Sequence, residues 1–365
     1  MKTHRNIFKV VSTASHTSGK TDFFKSMLAL SVVILTVPVV VGCSKNTHPQ
    51  DGDFTEVYCR SSVKVAVHHI QESSVRSLDA MVFNDDMLQR LDSYQSLEND
   101  GQESVLIGSC GGEKILLLCA NARWEKDFWR EYNSFPKANS LRVNIEDEER
   151  DFPVMTSVAQ LRAGEEAEIT LERLSSEVSL RSICCDFTDK PYAGESITDA
   201  KVYLTNVSGT CSLVPRPGEA AKRIVNHAGL IPQDLAIFKD SSLIINHIGT
   251  IGKDAVLPNV RLLCYPNTAL EESFGTPFTR LVIEGKIQDE TWYWPIDINR
   301  DSGPGEEGGG PGEGVGIERN RRYICDVTIR GKGTKDPDMP VTSMMAETIL
   351  KVQTWKEKEE YYVGF

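Results

Sequence analysis

Two runs of side chains have residue types that could do chemistry. His68 and His69 are metal-ligand types, but adjacent residues on a strand point to opposite faces, so the pair cannot chelate one ion together. The acidic run from Glu146 to Glu149 could supply the paired carboxylates of a glycoside hydrolase or the oxygen ligands of a calcium site. This run lies in a loop-like stretch, which favours a solvated acidic surface. We therefore interpret the histidines as strand residues and the acids as surface residues.

The sequence motifs of common enzymes are absent. The chain contains neither the His-Glu-x-x-His zinc motif nor the Gly-x-Ser-x-Gly nucleophile elbow. The glycines between residues 303 and 316 are interrupted by proline and glutamate and precede no Lys-Ser or Lys-Thr pair, so they do not form a phosphate-binding loop. The sequence therefore predicts a protein that is not an enzyme, with no catalytic residue, no cofactor and no metal site.

Three consecutive aromatic residues, Trp292, Tyr293 and Trp294, permit two interpretations. Their rings could form a platform on which a sugar stacks, because aromatic rings bury a large area on flat ligands. On a strand, however, alternate side chains face opposite sides, so the two tryptophans could face a core while Tyr293 faces out. The first interpretation predicts a glycan-binding surface, and the second predicts ordinary packing.

Length and charge narrow the class of protein. The chain has 365 residues, a length that favours two domains over one. Its hydrophobic content of 40% is that of a globular protein and excludes wholesale disorder. With 52 acidic against 40 basic residues the formal net charge is −12, and binding a polyanion requires a basic surface. We expect no nucleic-acid partner.

The N-terminal segment has the features of an export signal. Basic residues precede the apolar run from Met27 to Val41, which is too short to span a bilayer comfortably, and Gly42-Cys43 follows. The run's ending resembles a bacterial lipobox, in which the cysteine is acylated and becomes the first residue. We predict a lipoprotein signal peptide over residues 1–42, lipidation at Cys43 and a polar tether over residues 43–61. An ordinary signal peptide with a chance cysteine is the alternative, and translation could begin at Met27.

The other eight cysteines show no Cys-x-x-Cys spacing, so the signatures of zinc and thioredoxin sites are missing. Most of them lie inside apolar, strand-like runs, where a free cysteine behaves as a small hydrophobic residue. We expect buried free thiols, while some pairs could form in an oxidising compartment.

Short segments with alternating polarity dominate the remainder. Residues 62–68 alternate, residues 78–83 form a further strand-like segment ended by a turn signal, and residues 114–121 form a continuous apolar run that is typical of a strand covered on both faces. Residues 168–183 are predicted to form one strand, and aromatic spacing predicts a helix at about 122–134. Many short strands with little helix predict an all-β fold of two β-sandwich domains. We place these domains at residues 62–167 and 168–365, with a Gly/Pro/Glu-rich surface loop at 301–316.

A family resemblance rests on the C-terminal third and on a series of segments before it. Residues 317–333 read IERNRRYICDVTIRGKG, and a proline-rich loop at 336–341 and a last strand ending in Trp355 follow. This stretch resembles the closing signature of FimA-type (type V) fimbrillins. The segments that agree in order are the lipobox, SVKVAV, LDAMVFNDD, GGEKILLLCANA, FPVMTS and LERLSSEVSL.

The resemblance implies a fold and a mode of assembly. Members of this family have two transthyretin-like β-sandwich domains and reach the outer membrane as lipoproteins. In stalk subunits an arginine-specific protease then removes the first strand, and a neighbouring subunit's C-terminal strand fills the groove that is left. The expected function is a structural or accessory subunit of a cell-surface fimbria that supports adhesion. Its expected partners are other fimbrial subunits, the outer membrane through the lipid, and a host glycan or protein.

Carried onto this chain, the resemblance implies that residues 62–70 form the removable strand and that Arg76 is the candidate cleavage site. Tyr362, Val363 and Phe365 are the candidate donor-strand residues. Only residues 71–77 separate the first strand from the next, which is shorter than in stalk subunits and favours an unprocessed anchor or accessory subunit. The alternative function, from the tryptophans at 292 and 294, is a lipid-anchored surface glycan-binding protein.

Overall fold

Strands make up most of the described protein. A computed structural model describes residues 60–68, 75–98, 104–125, 127–216, 218–226, 245–300 and 315–354. Within these ranges the helices are a four-residue α-helix, α1 (Phe135–Ala138), and two 3-10 turns, Phe128–Glu131 and Ile145–Asp147. No helix of the described residues has the length and apolar character needed to cross a bilayer. The predicted all-β class is confirmed.

The strands of the first half supply two sheets. In chain order they are β1 Arg60–His68, β2 Ser77–Asn84, β3 Leu91–Glu98, β4 Ser104–Cys110, β5 Glu113–Ala120, β6 Arg142–Asn144, β7 Met155–Arg162, β8 Glu166–Thr170 and β9 Glu172–Arg173. A three-stranded sheet has the order β4-β1-β8, and a five-stranded sheet has the order β3-β2-β5-β7-β9.

The strands of the second half supply two four-stranded sheets. They are β10 Ser176–Cys185, β11 Ile197–Thr205, β12 Val207–Ser208, β13 Thr210–Ser212, β14 Ile224–Val225, β15 Ile245–Ile251, β16 Val260–Cys264, β17 Arg280–Ile287, β18 Glu290–Asp297, β19 Arg321–Ile329 and β20 Ala346–Thr354. The sheet orders are β16-β10-β19-β20 and β15-β11-β17-β18, and the short strands pair as β12-β14 and β6-β13.

Strand β5 shows how the sequence builds the layers. Its continuous apolar run predicts burial on both faces, and its alternate residues do enter two different cores. Leu116 and Leu118 belong to the core between the two sheets of the first half. Leu117 and Cys119 belong to a larger core that continues into the second half of the chain. The five-stranded sheet is therefore covered on both sides.

Two local predictions are wrong. In the described parts of the helix expected at 122–134, the one helical element is the 3-10 turn Phe128–Glu131, and Trp124, Phe128 and Tyr132 pack against one another there. The helical spacing of the rings thus reflects an aromatic cluster, not a helix. The single strand expected at 168–183 is three strands, β8, β9 and β10, which lie in different sheets.

The domain division stays a proposal. All the described residues belong to one compact unit of the chain. The expected boundary at 168 falls inside β8, which pairs with β1, so we propose that the passage between the two pairs of sheets lies at Leu174 and Ser175, between β9 and β10.

The seven described cysteines are free thiols. Five are buried, and Cys110 and Cys184 are half-buried. Burial raises the pKa of Cys211 and Cys325, each to about 12, so these thiols stay protonated and act as small apolar side chains.

Candidate functional site

Strand β1 lies in the middle of its sheet. On one side it pairs antiparallel with β4, from Arg60 opposite Cys110 to Ala66 opposite Ser104. On the other side it pairs parallel with β8, from Lys64 opposite Glu166 to His68 opposite Thr170. Because the first strand of the described chain is enclosed by two later strands, its removal would leave a gap inside the sheet.

The register of β1 connects it to the core beneath. Ile107 on β4 and Ile169 on β8 are buried in the core that Leu78, Ala80, Val82, Leu116, Leu118, Ala120, Met155 and Leu171 complete. The ladder pairs Val63 with Ile107 and Val67 with Ile169. The two strands that would border the gap, β4 and β8, therefore each carry a core residue opposite a valine of β1.

A gap of this shape can bind an extended chain. With one strand missing, β4 and β8 would face each other two strand spacings apart, roughly 10 Å, with unpaired N–H and C=O groups along both edges. A single strand restores both ladders, and its apolar side chains cover the exposed core. The chemistry available is hydrogen bonding and burial, without any covalent step.

The predicted cleavage residue, Arg76, lies just before β2. Its side chain is 56% exposed, its guanidinium lies 3.8 Å from the centre of the Phe152 ring, and Nη2 lies 3.5 Å from Oε2 of Glu149. These contacts hold the side chain against the loop before β7 while leaving it accessible at the surface.

Asn121 holds the backbone on both sides of the bond that follows Arg76. The Arg76 N–H donates to Oδ1 of Asn121 at 2.8 Å, and the Asn121 N–H donates to the Ser77 carbonyl at 3.0 Å. Asn121 has the left-handed φ of 62° that asparagine tolerates, and its Nδ2 donates to the Pro153 carbonyl at 2.9 Å. A protease that cut after Arg76 would have to break these hydrogen bonds of Asn121 first. Sequence reasoning missed Asn121, whose only signal is an asparagine that follows a strand.

Strand β4 was also missing from the sequence predictions. Its seven residues end at the Gly111-Gly112 pair, where Gly112 has a φ of 106°. That turn sends the chain from the three-stranded sheet to the five-stranded sheet. The glycine pair was the available signal for a strand on its N-terminal side as well as on its C-terminal side.

The acidic run is not a uniform solvated surface, which corrects our interpretation. Glu146 pairs with Arg223, and Asn144 donates to Asp147 at 3.3 Å. Glu149 lies beside Arg76, whereas Glu148 is buried. The four carboxylates diverge to different partners because a 3-10 turn over residues 145–147 rotates successive side chains apart.

The two adjacent histidines lie at the end of β1 and just beyond it. His68 is the last residue of β1, and His69 lies outside the described residues. Within the described ranges, no group of three His, Cys, Asp or Glu side chains is arranged to hold a metal ion.

The aromatic run at 292–294 does not form an exposed platform. Trp294 is completely buried, and its Nε1 donates to the Gly331 carbonyl at 2.9 Å. Trp292 packs beside the same core, with Nζ of Lys335 at 3.5 Å from its ring centre. The packing interpretation is confirmed for Trp294, so the glycan platform built on these two tryptophans is wrong.

The remaining predicted site residues lie outside the described residues. These are Cys43, the donor residues Tyr362, Val363 and Phe365, and all but the last two residues of the loop at 301–316. Strand β20, which precedes the tail, is an edge strand that pairs with β19.

Comparison with known proteins rests on solved structures. No protein-family model matches the chain. No curated protein matches it either. A fimbrilin of Porphyromonas gingivalis is similar in structure, with 16% sequence identity, a TM-score of 0.58 and coverage of 80% of this chain and 97% of that one.

Two candidate cell adhesion proteins are similar to the same degree. The one from Parabacteroides distasonis has 15% identity and a TM-score of 0.58, with 81% of this chain and 96% of that chain covered. The one from Bacteroides eggerthii has 12% identity and a TM-score of 0.57, with the same coverage. At these identities the likeness establishes the fold: about four fifths of this chain has the all-β architecture of the fimbrilin and of the two adhesion-protein structures.

Proposed function

We propose that this protein is a non-enzymatic structural or accessory subunit of a cell-surface fimbria, assembled by donor-strand addition. The observation that carries the proposal is the enclosed position of β1, whose two neighbours bring Ile107 and Ile169 to the core beneath it. A fold in which the first strand lies between two later strands of a sheet is suited to exchanging that strand for one from another subunit. The likeness in fold to a fimbrilin supports the same function.

The proposal includes the route to the surface. The protein is exported through the periplasm as a lipoprotein acylated at Cys43 and is held at the outer membrane until assembly. Its partners are other fimbrial subunits, and adhesion to a host glycan or protein follows from the assembled fibre. The acidic net charge of −12 keeps such a surface protein soluble and repels like-charged polymers.

The position within the fibre depends on Arg76. Cleavage there would release β1 and define a stalk subunit, whereas an intact chain would be an anchor or accessory subunit. The clasp formed by Asn121 fastens the bond to be cut, so processing needs local opening. Mass spectrometry of the N-terminal peptide of the surface protein separates the two roles. Ser77 as the first residue identifies a stalk subunit, and a chain that still begins at acylated Cys43 is an anchor or accessory subunit.

A reversible lock on β1 tests strand exchange directly. Val65 pairs with Val105 across β1 and β4, and paired residues of an antiparallel ladder lie about 4.5–5.5 Å apart at Cα, within the range of a disulfide. The Val65→Cys, Val105→Cys protein should form SDS-resistant ladders when reduced and none when oxidised. The reduced sample is the matched control for the substitutions. Equal ladders in both states would exclude release of β1 as the assembly step.

A further inference from the structure

Three polar side chains converge inside the five-stranded sheet, away from the gap that removal of β1 would leave between β4 and β8. Nζ of Lys114 donates to Oδ1 of Asn84 at 2.5 Å and lies 3.1 Å from Oδ2 of Asp92. The side chains of Lys114 and Asp92 are 1% and 7% exposed. A lysine is seldom buried to this extent, and here both its partners are fixed by strands.

The backbone places the three groups together. Asn84 at the end of β2 is paired directly with Lys114 on β5, so their side chains share a face. On the other side of β2, the ladder with β3 shifts between Val82 and Phe83, and Asp92 is the extra residue of the bulge. A bulge re-aims a side chain, and this one brings the Asp92 carboxylate to the lysine.

We propose that Lys114 and Asn84 form an intramolecular isopeptide bond, a cross-link between β5 and β2 for which Asp92 transfers the protons. The reacting atoms are already close. With a C=O length of about 1.23 Å, the Asn84 amide carbon lies within about 3.7 Å of Nζ, near the separation from which such groups react.

The reaction balances without an added reagent. Lys114 Nζ gives a proton to the Asp92 carboxylate, and the neutral amine attacks Cγ of Asn84. The bond from Cγ to the amide nitrogen then breaks as Asp92 returns the proton to that nitrogen. The ammonia that leaves takes the second proton of the attacking Nζ and departs as ammonium. An ammonium and a carboxamide become a secondary amide and an ammonium ion, so charge is conserved and nothing is oxidised or reduced.

Asp92 is in the protonation state that the first step needs. Burial raises the pKa of the Asp92 carboxyl, but hydrogen bonds from Cys110 and Lys114 outweigh burial and bring the pKa below its usual value. The Cys110 N–H donates to Asp92 Oδ2 at 2.6 Å. The carboxylate is therefore ionised and fixed in place, ready to accept the lysine proton.

Mass spectrometry of the purified full chain tests the proposal on the wild-type protein. The denatured protein should weigh about 17 Da less, the mass of one ammonia, than the mass calculated for its processed chain together with any attached lipid. Trypsin should leave Lys114 uncut, because its amine is blocked, and should yield residues 77–90 joined to residues 91–123. Fragmentation should locate the link between Asn84 and Lys114.

Variants assign the roles. Lys114→Met and Asn84→Ala should restore the sequence mass and separate the two peptides. Asp92→Asn keeps both reacting groups but cannot accept the lysine proton, so most molecules should lack the bond. If the Asp92 carboxylate were merely structural, the bond should still form in this variant. Lys201→Arg is the matched control, because Lys201 also pairs with a carboxylate, Glu284 at 2.9 Å, and it should leave the cross-link unchanged.

Three results would overturn the proposal. A wild-type protein at its full sequence mass, with trypsin cutting at Lys114, would show an ordinary buried ion pair. The same loss of mass with separate peptides would show that Asn84 cyclised onto its own backbone. A link within peptide 91–123 alone would place the amide on Asp92.

Discussion

The hydroxyl of Tyr265 donates a hydrogen bond to Oε2 of Glu148 at 3.0 Å, which joins the loop before β7 to the residue that follows β16. The other carboxylate oxygen, Oε1, accepts hydrogen bonds from Ser175 Oγ at 2.9 Å and from the Val154 N–H at 3.2 Å. Burial raises the pKa of Glu148 to about 7, although these hydrogen bonds and the nearby charge of Arg173 act to lower it. The first and second halves of the chain therefore meet at a carboxyl group that titrates near neutral pH.

Replacing Glu148 with glutamine should reduce the dependence of stability on pH. The folded protein holds the Glu148 proton more tightly than the unfolded chain, where the ordinary pKa is 4.5. The stability that this proton confers is fully present below pH 4.5 and is lost as the pH rises through about 7. The loss is roughly 3 kcal/mol for a shift of this size. Urea unfolding at pH 4.5 and pH 8 should show that the free energy of unfolding of Glu148→Gln rises relative to that of wild type as the pH increases.

The neighbouring acid supplies the control for that measurement. Glu146 accepts a hydrogen bond from Arg223 at 2.7 Å and lies outside the buried cluster, so Glu146→Gln should keep the wild-type response. A Glu148→Gln protein that follows the wild-type curve at every pH would show that the carboxyl stays ionised in the folded protein.

Shortening the buried side chain of Ile107 on β4 or of Ile169 on β8 should lower the stability of the protein. Ile107→Ala and Ile169→Ala each remove a buried side chain from the core under β1 and should each lower the free energy of unfolding by about 2–5 kcal/mol. Val158→Ala on β7 is the control, since Val158 is 37% exposed and should lose less than about 1 kcal/mol. Denaturant unfolding at constant pH measures all three. Losses no larger than the control's would argue against a continuous core beneath β1.

Trp294 should matter for stability. Trp294→Ala should cost about 3–5 kcal/mol, because it empties a completely buried site. Trp294→Phe keeps most of the packing but leaves the Gly331 carbonyl without its donor, a cost of about 1–3 kcal/mol. Equal losses for the two variants, measured by thermal or urea unfolding, would show that the hydrogen bond outweighs the packing.

Arg76→Lys should block processing if the proposed cleavage takes place. Lysine retains the charge beside Glu149 but is not a substrate of an arginine-specific protease, so the surface protein should keep its first strand. Arg123→Lys is a matched control, because Arg123 pairs with the same Glu149 and should leave the N-terminus as in wild type. Immunoblots and N-terminal sequencing detect the difference. Wild type and Arg76→Lys with the same intact N-terminus would support the anchor role.

The C-terminal tail should be required for polymerisation if it is the donor. Replacing Tyr362, Val363 and Phe365 with serine removes its apolar side chains, each worth roughly 1.5–3 kcal/mol when buried. The variant should remain a folded monomer and form no SDS-resistant ladders. Serine at Lys356 and Lys358 should leave the ladders intact, and ladders of unchanged length in the apolar-to-serine variant would exclude the tail as the donor.

Much of the strand structure can be predicted from short stretches of the sequence. The continuous apolar run of β5 predicts a strand covered on both faces, and Leu116 and Leu117 do enter opposite cores. The alternation at residues 292–294 predicts correctly that Trp294 faces a core. Such patterns are readable because side chains on a strand alternate, so period and burial are written in neighbouring residues.

The helix expected near Trp124 shows the limit of that approach. Aromatic residues at helical spacing give the same sequence pattern whether they line a helix or form a cluster. Here Trp124 and Phe128 have ring centres 4.1 Å apart at a 3-10 turn. Glu148 is a similar case: nothing in a run of four acids distinguishes the one that meets Tyr265 and Ser175 in the interior.

The sequence by itself determined the all-β class, the strand character of β1 and β5, and the acidic charge. Only the tertiary structure decided that β1 lies between β4 and β8, and that Lys114, Asn84 and Asp92 share one buried site. The reason is physical. A strand's period is set by adjacent residues, but its partners, register and bulges are set by contacts between distant segments, which no local pattern encodes.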